Sequence, residues 1–499
     1  MADYDLAIIG GGLNGVSLAR DAAGRGLRVI LLEQGDLGSA ASSATPRLIH
    51  GDLSVLERRG FWRVRRALAE RPIWLAIAPH LVRPMRFVIP AHSDERPPWL
   101  LRAGLFLYDR LSSPSGLPPS ATIDITHHPV GNALKRPFGT AFEYSDCVVD
   151  DSRLVVLTAL DAAERGAVIR TGARCVRADR AEIWRLAVVD RGHRRSITSR
   201  ALANATGAWA SMVAETVLRQ PQPTVAALQM SQIIVPRLFD SDNVYVFQNS
   251  DGRLIFVSPF ERKFTLIGTV THDFTGDPAI VAMRGADVSY LCEAASRYFR
   301  ERVAPTDVVR TVSGVNLTPA SARRGDGTTL FHARRRKAPL ITMFGGDVTT
   351  SRRRAERAVT RLTPFYPMSP PWTAGAALPG GDFAWDRFDT EVDIARERWR
   401  FLGEPAAQRL VAAYGSRLPA VLGEAKTREA LGPTFGPELT AAEVRYLMTH
   451  EWARFADDIL WRRSKLGLTM PAADRDALAS FMAGVNDPPG PVEQSPIGG

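Results

Sequence analysis

Cysteine is scarce in this chain, with three among 499 residues. Cys147, Cys175 and Cys292 lie far apart and form no C-x-x-C pair, so neither a zinc site nor a disulfide framework is expected, nor any other metal. They read as reduced intracellular thiols. A run of about eighteen apolar residues is also missing, and with it the expectation of a bilayer-crossing helix. Met1 is followed by neither a basic region nor a long apolar one, so no secretory signal is expected. No internal repeat occurs. The net charge is +10, from 63 basic and 53 acidic residues, but the basic groups are spread along the chain rather than gathered in one arm. Nucleic acid is therefore not an expected partner, whereas an anionic membrane surface or an anionic small molecule fits the charge. Apolar content of 45% and charged content of 23% are ordinary for a globular protein, and the length suits two or three domains.

Against these absences the N-terminus is rich in signal. Tyr4 to Ile9 reads as a buried strand, Gly10-Gly11-Gly12-Leu13-Asn14-Gly15 turns directly into a helix, and a second apolar strand runs from Arg28 to Glu33. This is a βαβ unit with G-x-G-x-x-G at its first turn. Gly10 permits the tight turn, Gly12 lets the backbone approach a pyrophosphate, and Gly15 lets helix and strand pack closely. Glu33 stands about twenty residues after the first glycine, where a carboxylate accepts hydrogen bonds from a ribose diol. The same glycines could form an ordinary turn, but strand, fingerprint, helix, strand and terminal acid together point to a dinucleotide. Ala205-Thr206-Gly207 and Gly345-Gly346 end two further strands with small residues, where a cofactor can lie against backbone. Ser42 and Ser43 can donate hydroxyl hydrogen bonds to phosphate or flavin oxygens.

Further along, Asp150 to Ala163 reads as a helix, and alternation around Ile183–Val189 and Ser196–Leu202 as a small antiparallel insertion. Short alternating runs between Thr224 and Thr275 predict a larger antiparallel sheet. Signals from Asp389 to Gly484 are almost all helical. The expected fold class is α/β (α+β), with a Rossmann-like cofactor domain (1–60, 140–210 and 310–363), an antiparallel-sheet substrate domain (61–139 and 211–309) and a C-terminal α-helical domain (382–485). Pro364 to Gly381 is the expected linker, and 486–499 is expected as a disordered tail.

Ile9 to Gly15, Asp21 to Gly26, Ser42-Ser43-Ala44, Leu48-Ile49-His50-Gly51, Ala78-Pro79-His80-Leu81 and Pro84-Met85-Arg86-Phe87 are joined by Phe142 to Asp146, Asn204 to Gly207, Phe344-Gly345-Gly346, His450 to Arg454 and Ala456 to Arg463. In this order, over essentially the whole chain, they resemble the aerobic FAD-dependent glycerol-3-phosphate dehydrogenases. The resemblance implies FAD as cofactor and oxidation of a secondary alcohol to a ketone, with electrons passing to membrane quinone. It places the cofactor against Gly10, Gly12, Leu13, Asn14, Gly15, Glu33, Ser42, Ser43, His50, Gly51, Ala205, Thr206, Gly207, Gly345, Gly346 and Thr349. A small-molecule substrate, quinone and the inner face of the plasma membrane are the implied partners and place; a homodimer is left open.

The family's substrate positions do not carry over. Its Arg and Tyr after the His-Gly pair read Ser54 and Val55, its Arg in Ser-Gly-Val-Arg reads Asn316, its Lys after Phe-Gly-Gly reads Asp347, and its Gly-Ser-His reads Met230-Ser231-Gln232. Losing three charge-assisted contacts to a phosphate removes roughly 5–9 kcal/mol. Arg310 is the candidate replacement cation, while Arg47 is expected at the surface. His50 and His272 are the available imidazoles, His50 as a cofactor-orienting group and His272 as an acid–base pair with Asp273 or a plain loop residue. Asp347 could anchor a cationic substrate such as an amine. Two function classes follow, a flavin dehydrogenase of an alcohol or amine, and a non-catalytic flavin-binding protein. Finally, Arg352, Arg353, Arg354, Arg357 and Arg361 surround a stripe of Ala355, Ala358, Val359 and Leu362, the pattern of a helix lying on an anionic membrane, with a core-facing helix as the alternative. Trp99 to Leu101 and Leu105 to Tyr108 are a second candidate for such a membrane face, with core as the favoured reading.

Overall fold

The computed structural model describes residues 2–53, 60–91, 97–112, 116–135, 139–221, 223–249, 251–319, 327–334 and 336–485. Ser54, Val55 and the expected tail 486–499 lie outside them.

The opening pattern folds as its residues dictate. Strands Lys337–Phe344, His193–Asn204, Tyr4–Ile9, Val29–Glu33 and Val168–Thr171 pair in that order, all parallel. Alternation then sends side chains to opposite faces. Leu6, Ile8, Val29 and Leu31 pack under helices Leu13–Gly24, Asp151–Glu164 and Ser351–Thr360. Ala7, Ile9, Ile30 and Leu32 meet Trp184, Leu186 and Val188 of the antiparallel hairpin Ala173–Arg180 and Trp184–Asp190. A sheet covered on both faces is what a parallel arrangement requires.

The second sheet is almost wholly antiparallel. Its order runs Arg310–Pro319, Val225–Pro236, Phe264–Asp273, Leu254–Phe260, Val244–Gln248, Val82–Pro90, Thr140–Val149 and Leu48–Ile49. One face packs on helix Gly285–Tyr298, and the other end on helices Phe61–Ile77 and Pro98–Leu111. Thr140–Val149 and Arg310–Pro319, placed with the cofactor half by the sequence boundaries, thus pair within the antiparallel sheet. Leu48–Ile49 does the same, so the chain crosses to the second sheet immediately after the cofactor unit.

The third body is helical, with helices Phe388–Arg398, Glu404–Tyr414, Leu418–Leu422, Ala441–His450 and Ala472–Gly484 around their own core. Buried ion pairs bind it to the cofactor sheet. Arg153 donates to Glu451 at 2.9 Å, and Arg463 to Asp36 at 2.8 Å. Pro364 to Gly381 is more than a linker. Trp372 lies so close to Gly24 that a Cβ there would meet its ring at 2.2 Å, and Tyr366, Thr373 and Leu378 are buried.

Two surface expectations are reversed. Ala355, Ala358, Val359 and Leu362 are buried in the core beside helix Leu13–Gly24, and Arg352 is buried between Glu70 (2.9 Å) and Glu356 (2.7 Å). The apolar stripe is therefore internal, and the exposed side of the helix carries Arg357, Thr360 and Arg361. Trp99, Leu100 and Phe106, read as core, are exposed. No helix among the described residues is long and apolar enough to cross a membrane.

Candidate active site

Three strand ends converge on the first glycine turn. Gly10 has φ +108°, and a Cβ on it would fall 2.5 Å from the Ala205 carbonyl oxygen, so only glycine fits between the two strands. The Gly10 amide donates to Leu32 at 2.8 Å and the Ala205 amide to Ile9 at 2.9 Å, which locks this convergence. A Cβ on Gly15 would sit 1.9 Å from the Gly10 carbonyl oxygen, the close helix–strand packing the fingerprint implies.

Glu33 accepts hydrogen bonds from the amides of Gly11 (2.6 Å) and Gly35 (2.7 Å). Burial raises its pKa and those two amides oppose the rise. Ser42 Oγ accepts from the Leu13 amide at 3.0 Å, capping the helix start, whereas Ser43 Oγ donates to the Gly38 carbonyl at 2.6 Å and holds the loop. Thr206 Oγ1 donates to Asn204 at 2.7 Å. Asn14 donates to the Gly345 carbonyl at 3.2 Å, tying the first helical turn to the Gly345-Gly346 strand end.

His50 is brought to the same place. Its amide donates to Thr349 Oγ1 at 3.1 Å, and its ring meets the Phe256 edge at 6.2 Å between centroids. Trp74 Nε1 donates to the Thr349 carbonyl at 2.8 Å, fixing that loop from behind. The next amide, Gly51, donates to Tyr108 Oη at 2.7 Å.

Three expected site residues are placed differently. Asp347 is exposed, and its Oδ1 accepts from the Thr350 amide (2.7 Å) and hydroxyl (2.8 Å), which ties it to the residue before helix Ser351–Thr360. Arg310 stacks on Trp461 of the helical domain at 3.5 Å, away from the glycine turn. His272 bonds Asp287 at 2.7 Å, not Asp273, and Arg284 shares that carboxylate at 3.0 Å. Arg47 is not at the surface: it is largely buried between Asp150 (3.4 Å) and Glu261 (3.5 Å), over the Phe260 ring. Gln232, in the family's histidine position, donates to the Thr45 carbonyl at 2.8 Å and ties the second sheet to the cofactor loop. Among the described residues no cluster of acidic, histidine and cysteine side chains could hold a metal.

The structure adds Arg354, which the amphipathic pattern had assigned to a membrane face. Its Nη2 donates to Asn14 Oδ1, while Nε and Nη1 are buried without a partner among the described residues. A Cβ on Gly346 would fall 0.9 Å from Arg354 Nη1. A guanidinium with two unpartnered donors beside a helix N-terminus, packed against Gly346 where any side chain would collide with it, fits a group carrying phosphate.

Comparison with known proteins agrees. Residues 5–350 match the family described as FAD dependent oxidoreductase, and residues 372–487 the C-terminal domain of alpha-glycerophosphate oxidase. A glycerol-3-phosphate dehydrogenase of Pseudomonas aeruginosa is 42% identical over 489 residues, covering 96% of this chain and 95% of the relative. The chain belongs to the FAD-dependent glycerol-3-phosphate dehydrogenase family. The aerobic glycerol-3-phosphate dehydrogenase of Escherichia coli and the D-erythritol 1-phosphate dehydrogenase of Brucella abortus are each 39% identical over 494 residues, covering 97% of this chain and 98% of theirs. In fold, the glycerol-3-phosphate dehydrogenase of Bacillus halodurans complexed with FAD superposes with a TM-score of 0.78 at 22% identity, covering 97% of this chain and 91% of that one. This member of the family is thus an FAD-dependent oxidoreductase, and nothing in these likenesses favours a non-catalytic flavin carrier.

Proposed function

We propose that this enzyme oxidises the secondary hydroxyl of a phosphorylated polyol to the ketone and passes the electrons to membrane quinone. The observation that carries the choice of alcohol over amine is the whole-chain likeness, at 39–42% identity, to relatives named as dehydrogenases of glycerol 3-phosphate and D-erythritol 1-phosphate. Bound FAD would supply the hydride acceptor. His50 would take the hydroxyl proton as the carbinol hydrogen leaves with its electron pair, so that one C–O double bond forms and one C–H and one O–H bond break. Thr349 and Tyr108 hold the backbone amides of His50 and Gly51, and the Phe256 ring lies near the imidazole. Gly10, Gly12, Leu13, Gly15 and Ser42 would line the pyrophosphate, Glu33 the ribose, and Ala205, Thr206, Gly207, Gly345 and Gly346 the remaining cofactor backbone.

Relatives equally similar to this chain are named for glycerol 3-phosphate and for erythritol 1-phosphate, so the polyol varies at this level of identity. Asn316 and Asp347 stand where the resemblance expects cations, so the phosphate would be held by groups other than the family's, and the polyol is left to the test. The membrane contact is assigned to helices Phe61–Ile77 and Pro98–Leu111, which touch each other and expose Trp62, Trp99, Leu100 and Phe106 beside Arg65 and Arg110.

Steady-state reduction of a soluble quinone analogue tests the reading, using glycerol 3-phosphate, longer polyol phosphates, free polyols and amines. The highest kcat/KM is expected with a polyol phosphate, glycerol 3-phosphate or a longer one. A preference for free polyols would overturn the phosphate requirement, and turnover of amines alone would overturn the reaction class.

A further inference from the structure

Arg354 is a cation of the cofactor cradle that neither fingerprint nor resemblance assigns. It projects from helix Ser351–Thr360 towards the first turn of helix Leu13–Gly24, where its Nη2 meets Asn14 Oδ1. The other end of the Asn14 amide holds the Gly345 carbonyl at 3.2 Å. The guanidinium therefore lies where the phosphate-facing helix start and the Gly345-Gly346 strand end come together. Backbone is kept clear for it on two sides: a Cβ would fall 0.9 Å from its Nη1 on Gly346 and 2.0 Å on Gly327. Nε and Nη1 have no acceptor among the described residues. The nearest acid acting on it is Asp347, whose carboxylate oxygen is bonded to Thr350. A buried guanidinium with open donors and no paired carboxylate is costly unless an anion completes it.

We propose that Arg354 is a ligand of the FAD pyrophosphate, supplying the positive charge that the glycine turn and its helix start offer only as partial charges. Asn14 is the positioning residue: it consumes Nη2 and leaves Nε and Nη1 directed at phosphate oxygens. This assignment rests on the FAD requirement of the family. A purified protein without any flavin would contradict that requirement itself, whereas flavin bound as tightly without Arg354 as with it contradicts only the ligand.

The test is FAD release from purified holoenzyme on dilution, followed by the fluorescence of free flavin, for the native chain, Arg354→Met and Arg354→Lys. Arg354→Met should raise the FAD Kd by about ten- to a hundredfold. Arg354→Lys, which keeps the charge and avoids leaving a bare cavity, should fall between the two. The native Kd should rise more steeply with salt than that of Arg354→Met. Unchanged FAD Kd in Arg354→Met overturns the proposal. If KM for the polyol phosphate rises instead, the anion is the substrate's; if the flavin midpoint potential falls at unchanged Kd, the charge serves the ring. A lysine variant as weak as the methionine one also contradicts it, because charge would then not be the cause.

Discussion

Tyr108 donates its phenolic proton to Asp146 across 2.6 Å while accepting the Gly51 amide, so a buried tyrosine links the His50 turn to the second sheet. Burial raises the pKa of Asp146, and Arg71, 2.9 Å away, opposes that rise. Tyr108→Phe removes the acceptor of the Gly51 amide and one donor to Asp146. It should cost about 1–3 kcal/mol of stability and lower kcat more than it changes KM, because the imidazole loses its positioning rather than the substrate its contacts. Urea unfolding and steady-state kinetics on the same variant check both effects.

Glu451 is fully buried and faces Arg153, itself 2% exposed, across the boundary between helical domain and cofactor sheet. Glu451→Gln leaves an uncompensated guanidinium in the interior and should destabilise the protein by about 3–5 kcal/mol. Calorimetry should show a lowered Tm. Glu451→Asp, which keeps the charge, should lose less.

His80 is 1% exposed, and neither ring nitrogen has a partner among the described residues. Burial pushes its pKa down to about 3 from 6.5. The unfolded chain therefore binds a proton below pH 6.5 that the folded chain refuses. Its stability contribution is complete above that pH and is lost as pH falls, by about 1.4 kcal/mol per unit. Between pH 7 and pH 5 the native protein should lose about 2 kcal/mol more than His80→Leu in urea unfolding.

The exposed aromatics of the two adjoining helices give a membrane prediction. Trp62→Ser combined with Trp99→Ser should weaken sedimentation with anionic phospholipid vesicles about tenfold or more, leaving activity on a soluble quinone analogue unchanged. Charge-only binding would instead be abolished by salt and insensitive to both substitutions.

The cofactor turn was legible in sequence because its determinants are local. Gly10 needs a positive φ and Gly15 a close approach, and both requirements are written in residue identity. Strand partners were less legible. Leu48–Ile49 pairs with Cys147–Val148, and Arg310–Pro319 with Val225–Pro236, and such distant pairings leave no periodic trace. Periodicity also cannot say what an apolar stripe packs against. The face of Ala355, Ala358, Val359 and Leu362 meets a helix rather than lipid, while Trp99 and Phe106 remain uncovered. Periodicity is equally silent on the local contact by which Asp347 Oδ1 accepts from the Thr350 amide and hydroxyl. Arg354 went unseen among five arginines because only the fold turns one of them toward Asn14.

The reaction we propose is hydride transfer from a polyol phosphate carbinol to FAD. Anaerobic stopped-flow mixing of the holoenzyme with a panel of polyol phosphates tests it directly, each compound prepared with hydrogen or deuterium at the carbinol carbon. We expect the visible flavin band to bleach with at least one of them, and more slowly for the deuterated form. A band that keeps its full absorbance with every polyol phosphate, but bleaches with an amine, would contradict the account.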